Sequence, residues 1–464
     1  MAIVLALLVF IGVGVWSWRA RNTSVTSDGR QLIVFWGSAD LGDDIYTVLN
    51  DFERANPQYK VVWGSAVAQD MVGDAQRLLS GVAGGVPPDV VWFDRFATGE
   101  WASRNALTDL TPFIEAQKPD DPYRIKLDEY YPWSIDEASF APPGSGQAKR
   151  LYAIPTTADI RVLFVNADQL MAAGFAEKGP DGSWQPKVPR TWEDVRAYGK
   201  KLSRFDDRGR MTRLGFAPLY GNGGLYSYAF ESGGNLLDET RTKATLTSPP
   251  VQRALKFIVD VTDDLGGAAS VNAFQATFQA GAMDPFIAGL VSMKTDGDWY
   301  LQTIADWKPD FRFVTAPLPL PADRFEAGAP PVTWAGGFSM VIPATAKNKE
   351  GAFKLIQFIS SWQTISRIEQ GKREQRESEG RLYLPRSMGN RVYYERLVKE
   401  AVLDNPRVPP ALRQAYSVLR DMMPKTMIRP VSPVGQLLWN QHLVAYESAT
   451  NHRFRARVAA SKKK

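Results

Sequence analysis

Carboxylates, guanidiniums and indoles are the groups in this chain whose types and spacing could do chemistry. There is no Cys, and His442 and His452 are the only histidines in 464 residues. Thiolate nucleophiles, disulfides and Cys- or His-rich metal centres are therefore excluded. Two carboxylate pairs are available for general acid and base work, Asp296 with Asp298 and Asp94 with Asp159. Hydrolysis of a glycosidic bond needs such a pair on opposite sides of the scissile bond, about 5 to 10 Å apart. Asp296 and Asp298 share one stretch, which places them poorly for that task. The other chemistry is recognition without reaction, in which carboxylate and guanidinium groups hydrogen-bond to hydroxyls and an aromatic face covers the apolar side of a sugar ring. With 14 Trp, 16 Tyr and 23 Phe, the chain is well supplied for it.

These residues must be positioned by strands and helices. Leu32 to Trp36 is a continuous apolar run, as expected of a strand buried on both faces of a parallel sheet. Ile45, Val48, Leu49 and Phe52 give the stripe of an amphipathic helix stopped by Asn56-Pro57. Lys60 to Trp63 reads as a second strand, Val72 to Val82 as a second helix, and Asp89 to Phe93 as a third strand. Such repeated winding brings Trp36, Ser38, Asp40, Asp94 and Arg95 to the carboxyl edge of one sheet, where ligands bind in open α/β folds. The stretch from Ile287 to Trp362 repeats the idea. A strand over Gly289 to Met293 breaks at Thr295 to Gly297, a helix continues through Leu301 and Ile304, and Asp298 and Trp299 sit at the corner.

Between these regions, Leu151 to Pro155 and Arg161 to Asn166 read as strands, the second leaving one layer to enter another. Thr191 and Asp194 match a capping box. Tyr220 to Tyr228 lacks both dinucleotide and phosphate-loop spacing, so it reads as a flexible loop presenting Tyr226 or Tyr228. Val251, Ala254, Leu255 and Ile258 mark one further helix, and Ala352, Leu355, Ile356 and Ile359 another. Leu384 to Arg386 forms a tight loop, and Tyr393 to Leu443 is mostly helical.

The net charge is +5, but the last twelve residues hold Arg453, Arg455, Arg457, Lys462, Lys463 and Lys464 and no acid; without those six the remainder is −1. A nucleic-acid platform spread over the body is thereby excluded, and the basic end reads as a solvated or membrane-surface tail. At the other end, Ile3 to Trp18 is almost wholly apolar, between the length of a signal core and a full span of about 20 residues. It reads as an uncleaved anchor, although Arg19 and Arg21 on its far side run against export of the body of the chain.

Landmarks recur in order along the chain: LIVFWGSAD, FERANP before KVVW, GGVPPDVVWFDRF, LYAIPTTADIRVLFVNADQL, PRTWEDV, FESGGN, GLVSMKTDGDWYLQTI and TWAGGFSMVIPATAKNKEGAFKLIQFI. Over roughly Gln31 to Trp439 the chain resembles the extracellular solute-binding proteins of ABC importers, the sugar-binding family that includes maltose-binding and glycerol-phosphate-binding proteins. The resemblance implies an α/β, two-lobe periplasmic-binding-protein-like fold, each lobe a sheet flanked by helices, with a ligand cleft between lobes. On it, residues 1–29 are anchor or signal plus linker, 30–158 with 292–345 the N-lobe, 159–291 with 346–450 the C-lobe, and 451–464 the basic tail.

Carried over to matching positions, the resemblance implies that Asp40 and Asp94 accept hydrogen bonds from sugar hydroxyls, flanked by Arg95 and Asp159, while Trp299 stacks on a ring beside Asp298. Trp36 and Ser38 fall in the first-strand loop, Tyr226 near an aromatic position of the second lobe, and Gly336 and Gly337 in a loop closing the cleft. Trp334 and Arg386 are further ligand-binding candidates. Arg95, Arg161 and Arg386 admit a phosphate or acidic sugar if they face the cleft, and a neutral oligosaccharide if they lie in structural pairs. The resemblance also implies a non-catalytic receptor on the outer face of the cytoplasmic membrane that needs no cofactor or metal. It would take a sugar, oligosaccharide or glycerophospho-type solute and deliver it to a membrane permease. A hydrolase using the paired carboxylates is the alternative.

Overall fold

The computed structural model describes residues 25–37, 45–65, 87–180 and 182–451. In chain order the strands that organise it are Gln31–Gly37 (β1), Tyr59–Ser65 (β2), Val90–Asp94 (β3), Ala153–Pro155 (β4), Asp159–Asn166 (β5), Met293–Gly297 (β6), Phe313–Ala316 (β7), Thr333–Gly336 (β8), Phe338–Val341 (β9) and Thr426–Ile428 (β10). The helices used below are Ile45–Ala55 (α1), Pro132–Glu137 (α2), Trp192–Leu202 (α3), Leu225–Glu231 (α4), Pro249–Asp264 (α5), Tyr300–Trp307 (α6), Lys349–Ile359 (α7) and Gly435–Thr450 (α8).

Of the apolar runs, β3 is buried from Val90 to Phe93. β1 instead alternates, with Ile33 and Phe35 buried on one face and Leu32, Val34 and Trp36 only half-buried on the other, so the expectation of a strand buried on both faces does not hold for β1. In the first sheet the order is β2-β1-β3-β9-β4, with β1 parallel to β2 and β3 and with β9 antiparallel to both of its neighbours, β3 and β4. The second is built on β5, whose residues are buried throughout. β6 runs antiparallel along one edge of β5, β7 and β8 share the other edge, and β10 pairs with β8. Each sheet anchors its own large hydrophobic cluster. The stripe read from sequence in α1 is the buried one, Ile45, Val48, Leu49 and Phe52.

The chain passes between the sheets at Thr156 to Ala158, as the apolar pattern suggests, again at Gly337, and a third time between Ile368, which packs in the first core, and Tyr383, which packs in the second. Gly337 has φ +125°, and a Cβ there would run into the Thr157 carbonyl, so the first two crossing segments touch through a residue that only glycine accommodates.

Several boundaries differ from the sequence expectation. Residues 292–337 are expected with the first lobe, but β6, β7 and β8 all belong to the sheet around β5. Conversely, α7 is expected in the second lobe, yet it buries Ala352, Leu355 and Ile356 in the core of the first sheet. An apolar stripe shows that a helix packs, not on which sheet. β6 also begins at Met293 rather than ending there. Lys294 and Asp296 lie inside the strand because they neutralise each other, Nζ to Oδ2 2.7 Å, and the ammonium sits 3.2 Å from the Tyr300 ring centroid. The expected Tyr226 loop is instead helix α4, with both Tyr226 and Tyr228 buried.

The capping box at the head of α3 is present. Thr191 Oγ1 accepts from Asp194 N at 3.0 Å, and Asp194 Oδ2 accepts from Thr191 N at 3.1 Å. Thr191→Ala is expected to cost about 1 kcal/mol of stability; an unchanged urea midpoint would show the cap to be dispensable.

The expected helix over 72–82, the apolar run of 3–18 and the basic residues 453–464 lie outside the described residues. Among the described residues no helix is long and apolar enough to cross a membrane.

Candidate functional site

Where the crossing segments meet, residues from both sheets build an alternating ladder of cations and indoles. Trp299, which ends the turn after β6, lies 5.0 Å from the Arg161 guanidinium carbon (ring centroid to Cζ). The ring centroid of Trp334 of β8 lies 3.8 Å from the same guanidinium carbon and 5.8 Å from that of Arg429. Arg429 in turn grips Asp94 at the end of β3, Nη2 to Oδ1 2.8 Å and Nη1 to Oδ2 3.3 Å. Asp94 and Trp299, expected together from the sequence, are thus joined by three intervening side chains. The opposite strand directions of β5 and β8 put Arg161 and Trp334 side by side.

Arg161 is held firmly. Its Nε and Nη2 donate to Asn222 Oδ1 at 3.1 and 2.8 Å, and its Nη1 donates to the Asp159 carbonyl. Burial lowers its pKa to about 10; the Asp159 charge opposes this and that of Arg429 adds to it. Asp159 accepts from Arg386 Nη2 at 3.2 Å. Gly336 leaves room for this group: a Cβ there would lie 3.4 Å from Arg161 Nη1 and 3.5 Å from Asp159 Oδ2.

Asp298 is buried beneath the ladder. Its Oδ2 accepts from Ser387 N at 2.7 Å, which ties the Arg386 loop to the end of β6, while its Oδ1 has no hydrogen-bond partner among the described residues. Burial pushes its carboxyl up to about 6, with the Arg386 charge working against the shift and Asp159 adding to it.

The residues singled out from sequence divide accordingly. Asp159, Arg161, Asp298, Trp299, Trp334, Gly336 and Arg386 come together. Trp36 stands half-buried at the end of β1 with its ring against Gly64. Ser38 and Asp40 lie outside the described residues. Two expectations need correction. Arg95 is completely buried and does not flank a ligand: Nε donates to Glu137 Oε2 at 2.7 Å, Nη1 to the Thr157 carbonyl at 2.8 Å and Nη2 to the Gly336 carbonyl at 2.6 Å. It is a clamp on the first two crossing segments. Tyr226 is 1% exposed, its ring 5.2 Å from that of Trp439 and 4.6 Å from that of His442, so it backs the site and presents nothing to solvent.

Sequence reasoning misses Glu137, Asn222, Arg429 and Trp439. Glu137 on α2 takes Arg95 on one oxygen and Arg429 on the other, Nε to Oε1 3.1 Å. Burial alone would lower the pKa of Arg429, but the Asp94 and Glu137 carboxylates outweigh it and the net shift is upward. A single signal points there, a lone charge between Ile428 and Pro430 in a run that is otherwise apolar.

Of the four carboxylates considered for hydrolysis, three are ion-paired, Asp296 with Lys294, Asp94 with Arg429 and Asp159 with Arg386, while Asp298 is buried and accepts from Ser387 N through one oxygen. Among the described residues no group of three or more acidic or His side chains is placed to hold a metal.

Residues 38–362 match the family model described as bacterial extracellular solute-binding protein. The arabinooligosaccharide-binding protein of Bacillus subtilis (strain 168) is 22% identical over 364 residues, covering 76% of this chain and 74% of that protein. Among solved structures, CpMnBP1 with mannotriose bound has a TM-score of 0.66 at 21% identity, covering 92% of this chain and 96% of its own. UgpB of Mycobacterium tuberculosis in complex with glycerophosphocholine has a TM-score of 0.60 at 20% identity, covering 94% and 100%. At these identities the likeness establishes a shared fold of two lobes, each a sheet flanked by helices.

Proposed function

The chain belongs to the bacterial extracellular solute-binding protein family, and from that premise we propose that it is the substrate-binding receptor of an ABC importer, taking a sugar or oligosaccharide at the ladder between the two sheets. The observation that carries this reading is the part-exposed indole of Trp299, 5.0 Å from the guanidinium of Arg161 and near the Asp159–Arg386 pair. An apolar ring face next to fixed hydrogen-bonding groups suits a pyranose or furanose, which is apolar above and below and hydroxylated at its rim. Arg95, Arg161, Arg386 and Arg429 all have protein partners. That supports a neutral, hydroxylated solute over a phosphorylated one.

On this reading the crossing segments at Thr156 to Ala158 and at Gly337 act as a hinge. Closure would bury the solute, and the closed form would present itself to the permease. Sugar and oligosaccharide complexes among the relatives support the ligand class. The apolar residues 3–18 serve as the tether to the outer face of the cytoplasmic membrane.

Titration calorimetry with arabino-, manno- and malto-oligosaccharides and glycerophosphocholine tests the proposal. Saturable heat with at least one neutral saccharide, and the saccharide recovered uncleaved, is the expected result; no heat with any of them would overturn it. Trp299→Ala is expected to weaken the saccharide that binds by about 10- to 100-fold, the loss of roughly 1.5 to 3 kcal/mol of covered ring. An unchanged Kd would remove Trp299 from the site.

A further inference from the structure

The chain leaves the second sheet at β10 and, before it settles on the second body along α8, attaches itself to the first body. Arg429 pairs with Asp94 and Glu137. Val431 is buried in a small apolar cluster with Ala102 and Phe140, set apart from the two large ones. It packs into the space that a side chain at Gly99 would take, since a Cβ there would lie 2.6 Å from Val431 Cγ1. The N–H of Gln436 donates to Glu100 Oε2 at 3.0 Å, and the ring of Trp439 lies 5.8 Å from that of Phe96. On the other side the rings of Trp439 and His442 lie 5.2 and 4.6 Å from that of Tyr226 on α4. Residues 429–439 therefore strap Asp94 and the helix Thr98–Ser103, which follow β3, to α4, and these elements flank the ladder from opposite bodies.

We propose that this strap is a latch across the cleft, holding the two lobes together without a solute and releasing before a solute can enter or leave. The inference rests on the reading of the protein as a two-lobed receptor. The ion pair opposes release less than its burial suggests, because on opening Arg429, Asp94 and Glu137 return to water together. The contacts of Val431 and Trp439 with the first body have no such compensation, and they supply most of the resistance. Trp299, where the solute sits on that reading, is separated from Arg429 by Arg161 and Trp334, so a bound solute leaves the latch in place. Contacts made equally by the empty and the loaded closed forms cancel from the affinity and remain in both rates. Loosening a latch therefore speeds association and dissociation together and leaves Kd where it was, an effect that a merely structural strap would not have.

The chain has no Cys, so Tyr46→Cys on α1 of the first body and Trp184→Cys on the second, both positions 63% exposed, can carry a donor and an acceptor dye in the full chain. Without any solute, single-molecule energy transfer is expected to show one dominant population. Val431→Ala, which empties the seat beside Gly99, is expected to raise a second, opened population by about 10-fold. Glu100→Ala, which removes the acceptor of the Gln436 N–H, should act in the same direction. With whichever of arabinotriose, mannotriose and maltotriose binds the parent, Val431→Ala should speed association and dissociation by about 10-fold each, with Kd changed by less than about 3-fold. An opened population as large in the parent as in the variants, identical distributions in all three proteins, or a change in Kd carried by one rate alone would each overturn the latch. If none of the saccharides binds, the receptor reading falls, while the solute-free distributions still decide whether the strap holds the lobes together.

Discussion

Replacing Glu137 by Ala is expected to cost about 3 to 5 kcal/mol of folding stability, because it leaves two buried guanidiniums short of their shared counter-charge. Glu137 is 1% exposed, and its two oxygens accept from Arg95 Nε at 2.7 Å and Arg429 Nε at 3.1 Å. Arg95 would keep only neutral carbonyl partners, those of Thr157 and Gly336, while Arg429 would keep Asp94. The damage therefore falls on Arg95 and on the two crossing segments it clamps. Glu137→Gln retains one acceptor but no charge, so it should lie between parent and Ala. Chemical denaturation followed by circular dichroism measures both; a loss below about 1 kcal/mol for Ala would show that water reaches these arginines and that the clamp is not what holds the junction together.

Glu231 is expected to behave in the opposite way, with its removal stabilising the protein at alkaline pH. It ends α4, is 1% exposed, and accepts from Trp192 Nε1 at 2.6 Å. Burial pushes its carboxyl from 4.5 up to about 8, partly offset by the Trp192 hydrogen bond. Since the folded protein holds this proton more tightly than the unfolded chain, stability falls as pH rises from about 4.5 to about 8, at roughly 1.4 kcal/mol per unit and about 5 kcal/mol in all. Glu231→Gln keeps an acceptor for Trp192 and has no proton to lose. The variant should therefore lack this decline and be the more stable protein at pH 8 to 9. Melting temperatures across pH 4.5 to 9 decide it, and parallel curves for parent and variant would show that Glu231 does not titrate there. His442 contributes with the other sign: burial lowers its pKa from 6.5 to about 4, so stability is full above about 6.5 and is lost as pH falls toward 4.

These two glutamates also show how much the sequence conceals. Both lie in short helices with ordinary composition, and nothing local distinguishes the ion-paired carboxylate from the one that burial keeps protonated. What differs is the presence of Arg95 and Arg429 beside one and of Trp192 beside the other, residues separated from them by tens to hundreds of positions. The same holds for Arg95 and Arg161. Each arginine lies next to or near an aspartate in sequence, so local spacing makes them equivalent. One clamps two crossing segments and the other lies against two indoles.

Information carried by neighbours within a few residues is legible. The period of the apolar residues marks the buried face of α1, the spacing of Thr191 and Asp194 marks the cap of α3, and the change of layer after Pro155 is visible as an apolar run resuming beyond Thr156 to Ala158. The order of landmarks along the chain is enough to anticipate a two-lobe solute-binding fold, and it singles out Asp159, Arg161, Asp298, Trp299, Trp334 and Arg386 without reference to their contacts. Sheet membership is not legible, because any apolar strand can satisfy its backbone against either sheet and pairing with β5 depends on residues far away in the chain. Nor is exposure: Tyr226 and Trp299 are both aromatic and nothing in their local sequence separates them, yet the packing of α8 buries the first while the second stays part-exposed. Periodicity and capping act over a turn or two of chain and are written locally, whereas burial and charge pairing are properties of the assembled core and exist only once both sheets have closed around the crossing segments.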